Sequence, residues 1–247
     1  MTGAELHAAE REAVTGKQFD KLGLKENVWN AYKTGSATCL CKNLGRLARV
    51  VAFMPAGAAE PPWEFWARVF EWFGPSPDGK PWHVTWFASP ASREFPQPGQ
   101  DLGPEHVNGG YTQICSTDGI FIYRAEEVTR VLIHEMVHAA CMDEKDASWT
   151  VPLREAMVET WAELILIALK SQGSAPKAKR LWVKQSHWIS DTNWKARQQH
   201  NEEDHTDYAW RYLSGRREMY ASLGIELPRP RPTETKSLRF THPALDA

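Results

Sequence analysis

The stretch "VLIHEMVHAACMD", residues 131–143, limits the folds open to this chain more than any other segment. Wound as an α-helix, it spreads Val131, Leu132, Ile133, Met136, Val137, Ala139 and Ala140 around almost its whole circumference. A helix that is apolar on nearly every side has to be covered on nearly every side. His134, Glu135 and His138 nevertheless sit inside it, and burying two imidazoles and a carboxylate is costly unless something compensates them.

The spacing says what that something can be. Residues four apart on a helix differ by about 40° around the axis and about 6 Å along it, so His134 and His138 project from one face and can converge on a single ion. Glu135 is turned by about 100° from His134, which sets its carboxylate beside the ion's open position. This is the H-E-x-x-H arrangement, in which two imidazoles bind zinc and the glutamate handles the proton of an activated water. A hydrogen-bonded polar cluster without metal is the competing reading.

A catalytic zinc site takes three protein ligands as a rule. The metzincin extension is excluded, because Cys141 and Glu144 stand where its glycine and third histidine belong. Downstream, "PLREAMVETWAELILIALK" places Glu155, Glu159 and Glu163 on one stripe of an otherwise apolar helix. Like charges at that spacing repel, and a dication with its histidines nearby would offset the repulsion.

The surrounding elements predict an α+β domain. Residues 1–33 read as a polar helix followed by a turn region, a loosely packed helical extension. "GRLARVVAFMP" predicts a buried strand over Leu47–Phe53, "PPWEFWARVFEWFG" an amphipathic helix and "WHVTWFAS" a second strand, together one crossover unit. A proline-rich loop follows. "GGYTQIC" and "GIFIYR" flank an Asp-Gly turn and read as a hairpin leading into the His134 helix. Helices are then predicted over Pro152–Lys170, Lys177–Gln199 and Glu203–Leu223, with residues 228–247 as an extended or disordered tail. The domain proper spans 34–227.

Composition narrows the partners. A chain of 247 residues with 42% hydrophobic content can bury a core without metal or disulfides. Its net charge of −2 supplies no general attraction for nucleic acid or an anionic membrane. Lacking an apolar leader or spanning segment, it is expected to be soluble and cytoplasmic. Cys39, Cys41, Cys115 and Cys141 make no C-x-x-C pair and are read as reduced thiols, with Cys39 and Cys41 inert. Twelve tryptophans are read as core, not as a base-stacking surface.

H-E-x-x-H followed on a second helix by a glutamate resembles the gluzincin branch of zinc metallopeptidases, and "REAMVE" is similar to their Glu-x-x-x-acid segment. The resemblance covers about residues 110–165. It implies that Glu155 is the third ligand and that Glu159 fixes an imidazole's tautomer, with Glu159 as the alternative ligand. It implies a zincin-like core with a small mixed sheet, an active-site helix and a mainly helical C-terminal half. In that core a sheet edge strand pairs with an extended peptide substrate, a role falling on Gly109, Gly110, Tyr111 and Thr112. The two glycines either permit close backbone approach or merely make a bend. "HVNGGYT", "IYRAEEVTRVLIHEMVHA" and "ETWAEL" also resemble uncharacterised zincin-like proteins of large DNA viruses and algae.

The expected activity is peptide-bond hydrolysis with one Zn2+ per chain, Glu135 as general base and an oxyanion donor from "EEDHTDYAWRYL", where His205, Tyr208 and Tyr212 are the candidates. The competing function is a catalytically inactive zincin-fold module that binds a peptide or protein.

Overall fold

The computed structural model describes residues 1–97, 99–143, 150–199 and 208–246; the side chains of Gln199 and Tyr208 fall outside this description. In chain order the helices are α1 (Gly3–Val14), α2 (Leu24–Lys33), α3 (Trp63–Phe73), α4 (Pro104–Val107), α5 (Val128–Ala139), α6 (Val151–Ser171), α7 (Ala175–Gln199) and α8 (Tyr208–Ser222). The strands are β1 (Ala37–Leu44), β2 (Ala48–Pro55), β3 (Trp82–Phe87), β4 (Gly110–Thr112) and β5 (Ile120–Ile122). The fold is α+β with a small mixed sheet, as the sequence implies. Contacts gather the chain into two compact units, Met1–Ser92 with Asn108–Glu144, and Arg93–Val107 with Lys145–Ala247.

The first unit is built on the sheet, ordered β1-β2-β3-β5-β4. β2, α3 and β3 form the expected crossover, with Val50 opposite Val84 and Ala52 opposite Trp86 in parallel register. β3 and β5 are also parallel, whereas β1 and β4 run antiparallel to their neighbours. β1 is a strand that the periodicity does not announce. It lies at an edge, and "CKN" in its second half has the composition of a loop.

Strand alternation sorts the core into two faces. Val51, Phe53, Phe87 and Tyr123 pack with Ala9, Ala13, Leu24, Val28 and Trp29, so α1 and α2 cover one face. The segment expected to be a turn region is α2, started by Asp20, whose carboxylate accepts from the Leu24 and Lys25 amides at 3.0 and 2.8 Å. On the other face α3 and α5 cover Trp86 and Ile122, and the Trp66 indole donates to Thr129 Oγ1 at 2.9 Å. Trp66, Trp82 and Trp86 are core residues, as read from the sequence; Trp72 and Trp161 are about half exposed.

Within the first unit β4 is a sheet edge of three residues. The Tyr123 amide donates to the Gly109 carbonyl at 2.9 Å, which makes that pair, and two residues on the Tyr111–Phe121 pair, the hydrogen-bonded ones. The backbone N–H and C=O groups of Gly110 and Thr112 therefore point away from β5, off the edge of the sheet.

The second unit is helical. Phe95, Leu102, Val107, Ala196, Ala209, Trp210, Tyr212 and Leu213 form its core with Leu238 and Phe240 from the tail. The tail is extended and pinned there: the Phe95 amide donates to the Lys236 carbonyl at 2.9 Å and the Leu238 amide to that of Arg93 at 3.0 Å. α6 and α8 pack so closely that a Cβ on Gly215 would come within 2.6 Å of Ala156 Cβ. No helix among the described residues is long and apolar enough to cross a membrane.

Candidate metal centre

α5 buries every residue from Thr129 to Ala139, as its apolar composition requires. Its end is a Schellman turn: the Met142 amide reaches back to the Val137 carbonyl at 3.0 Å and the Cys141 amide to that of His138 at 3.1 Å, with Cys141 left-handed at φ 58°. The turn folds the chain back on the helix. It brings Asp143 to His138, with Oδ2 2.6 Å from Nδ1.

A carboxylate at Nδ1 favours the tautomer protonated there, in which Nδ1 donates to Asp143 and Nε2 presents its lone pair. The Nε2 atom of His134 lies 3.2 Å from it. Two nitrogens bound to one tetrahedral zinc at about 2.0–2.1 Å are separated by about 3.3 Å, so this spacing fits a shared ion. One carboxylate oxygen of Glu155 completes the set: it and the two imidazole nitrogens all lie within 4.8 Å of one another. The three residues can hold a metal ion. Their nitrogen and carboxylate donors suit zinc.

The chain matches no known family, curated protein or solved structure.

Glu135 is nearly fully buried and faces β4. A Cβ at position 110 would lie 2.7 Å from Val131 Cγ1, 2.9 Å from the Phe121 carbonyl oxygen and 3.2 Å from Glu135 Oε1. Only glycine lets the edge strand approach the carboxylate this closely, so close approach, not a bend, accounts for Gly110. The hairpin is fixed beyond it. Thr112 Oγ1 donates to the Gly119 carbonyl at 2.9 Å, and the Cys115 amide to the His138 carbonyl at 3.0 Å. Tyr111 turns to the opposite face and stacks on Phe19, with ring centroids 4.5 Å apart.

Other residues singled out in the sequence fall elsewhere. Glu163 pairs with Arg216 and accepts from the Tyr220 hydroxyl at 2.6 Å, all three fully buried. The charge offsetting this glutamate is thus a guanidinium, not a dication as the stripe suggested. Burial, then Glu163, raises the Tyr220 phenol well above its ordinary pKa. Glu159 is fully buried on α6. Tyr212 packs edge-on against Phe240 at 5.1 Å in the helical core. His205 lies outside the described residues, as does the side chain of Tyr208.

The cysteines divide. Cys115 and Cys141 are joined by a disulfide, which corrects the reading of four reduced thiols. The cause is the fold: the β4–β5 loop and the end of α5 both bond to the His138 carbonyl, bringing the two Cα atoms within 4.6 Å. Cys39 and Cys41 remain thiols on β1, their sulfurs 3.8 Å apart, and burial with the neighbouring Cys41 pushes Cys39 up to about 12. Sequence reasoning missed Asp143, because no local pattern shows that a carboxylate five residues past His138 returns to it.

Proposed function

We propose that the protein is a zinc-dependent metallopeptidase of gluzincin type, hydrolysing a peptide bond with Glu135 as general base. The observation that carries this reading is the placement of Glu135 between a pair of converging imidazoles on its own helix and the open backbone edge of β4 at Gly110. A purely structural polar cluster has no need of an adjoining strand edge with outward-facing N–H and C=O groups.

A zinc ion held by His134, His138 and Glu155 supplies Lewis-acid polarisation of a carbonyl and acidifies water. The chain's own residues do the rest. Asp143 holds His138 in the tautomer that presents Nε2, and its charge makes that imidazole a stronger donor. Gly110 and Thr112 offer backbone groups that align an extended peptide by strand addition. Glu135 accepts the proton of the attacking water at a carboxylate oxygen and returns it to the leaving amine. Tyr208 and His205 are the proposed oxyanion donors, and Glu159 a further hydrogen-bonding partner for a ligand imidazole. The proposed partner is a peptide or protein.

Elemental analysis and a peptide-library digest test the reading together. About one zinc per chain is expected in the wild type and in Glu135→Gln, and none in His134→Ala. Cleavage is expected from the wild type alone. Folded, metal-free wild type that cannot be reconstituted refutes the metal centre. Zinc without cleavage points to the inactive peptide-binding module.

A further inference from the structure

The loop between α1 and α2 reaches the edge strand. Its Phe19 carbonyl accepts from the Tyr123 hydroxyl at 2.6 Å and from Asn108 Nδ2 at 3.5 Å. The loop is tightly built: the Phe19 and Asp20 amides both return to the Gly16 carbonyl, at 3.0 and 3.3 Å, and Asp20 caps α2. Gly16, at φ 65°, is held where a Cβ would come within 2.7 Å of the Tyr111 hydroxyl and 2.8 Å of Lys25 Nζ. Lys25 is itself buried, bonded to Glu12 Oε1 at 2.7 Å, to the Thr15 carbonyl at 3.1 Å and to the Tyr111 hydroxyl. Polar contacts therefore hold the Phe19 backbone and the Tyr111 hydroxyl. Phe19 stays 40% exposed while stacked on Tyr111.

The register makes this aromatic pair a neighbour of any strand added to β4. Tyr111 spends its backbone groups on Phe121, so a residue laid antiparallel opposite Tyr111 forms a non-hydrogen-bonded pair, the closer of the two side-chain geometries. Its side chain projects to the face that carries Phe19 and Tyr111. It also sits one strand position from Gly110, where Glu135 lies.

We infer that Phe19 and Tyr111 form an apolar side-chain subsite beside β4, selecting extended peptides with an aromatic or large aliphatic residue opposite Tyr111. The inference rests on β4 being the peptide-pairing edge, the reading given above. The subsite separates a selective enzyme from one that accepts any extended chain. A hydrophobic pocket of this partial kind discriminates about ten-fold, or about 1.4 kcal/mol.

Positional-scanning pools of N-acetylated, C-amidated decapeptides, one position fixed in each, test it in two arms. In the first, pools are passed over immobilised wild-type protein, Phe19→Ala and Phe19→Leu, and retained peptides are quantified by mass spectrometry. In the second, the same pools are incubated with the zinc-loaded proteins and the products are sequenced. Circular dichroism checks each fold. Pools fixed as Phe, Tyr, Trp, Leu or Ile are expected to be retained about ten-fold over Gly or Asp pools. Phe19→Ala should bring that ratio to within about two-fold of unity, while Phe19→Leu keeps most of it. Retention without apolar preference, no retention at all, or a preference unchanged in Phe19→Ala overturns the subsite. Selective retention without cleavage upholds it and refutes hydrolysis; cleavage with no apolar preference does the reverse.

Discussion

Two of the buried polar clusters among the described residues are solved differently. On α6 and α8, Glu163 meets Arg216 and the Tyr220 hydroxyl, so an anion, a cation and a neutral donor answer one another. On α5, His138 Nδ1 lies 2.6 Å from Asp143 Oδ2 and its Nε2 3.2 Å from that of His134, with Glu135 on the next helical position. The first cluster sets a cation directly against its carboxylate, with the Leu213 and Phe240 carbonyls taking up further guanidinium N–H groups. The second brings two imidazoles and one carboxylate oxygen of Glu155 close enough together to hold a metal ion. Burial is common to both clusters; the chemistry of the groups that meet is what separates them.

The contrast fails most visibly if both clusters answer one substitution alike. Replacing His134 by Ala should abolish zinc uptake, and Glu135→Gln should keep the zinc while lowering the cleavage rate by about 10²–10⁴-fold. Neither should approach the loss of folding stability caused by Glu163→Ala. That change leaves Arg216 buried without its carboxylate and should cost about 3–5 kcal/mol by urea unfolding, with zinc content unchanged. A Glu163→Ala protein that stays fully stable, or that loses its zinc while folded, would erase the distinction.

Asp143→Asn probes an ion-pair-like contact of the histidine cluster. It removes the charge that orients His138, and zinc affinity in a competition titration should fall about 10–100-fold with little change in far-ultraviolet dichroism. Gly110→Ala places a methyl against Val131 and the Phe121 carbonyl, and overpacking of this kind costs about 1–3 kcal/mol. Cleavage should fall further than stability explains, because β4 moves off Glu135.

The smallest effect belongs to the surface. The Arg49 guanidinium holds the Glu5 carboxyl down at about 2, below its ordinary value of 4.5. A depressed carboxyl stabilises the fold above about pH 4.5 and loses that contribution as the pH falls toward 2. Solvent screening keeps it to about 1 kcal/mol or less, so Glu5→Gln should flatten the acid limb of the stability curve only slightly.

What could be read from the sequence follows the range of each interaction. His134, Glu135 and His138 are legible because four-residue spacing on an apolar helix is local. The β4–β5 hairpin is legible because Asp-Gly is a turn signal, and the β2-α3-β3 crossover because its periods switch cleanly. Asp143 is not, since its return depends on a left-handed Cys141 that composition does not announce. Arg216 lies 53 residues from Glu163, so nothing local shows that this glutamate has its cation. Phe19 stood in a segment read as loosely packed; its role depends on long-range bonds from Tyr123 and Asn108. Glu155 joins the histidines in space as the gluzincin resemblance implied, and the periodicity alone did not separate it from Glu159.

The brevity of β4 has a further consequence. Its three residues turn only Gly110 and Thr112 outward, four backbone groups in all. At about 0.5–1.5 kcal/mol net for each bond, they give an extended chain about 2–6 kcal/mol. Association costs about 4–15 kcal/mol, so backbone pairing by itself scarcely holds a passing polypeptide. A longer edge would make the neighbourhood of Glu135 adhesive to any unfolded chain; this one would hold only a partner that brings more than its main chain.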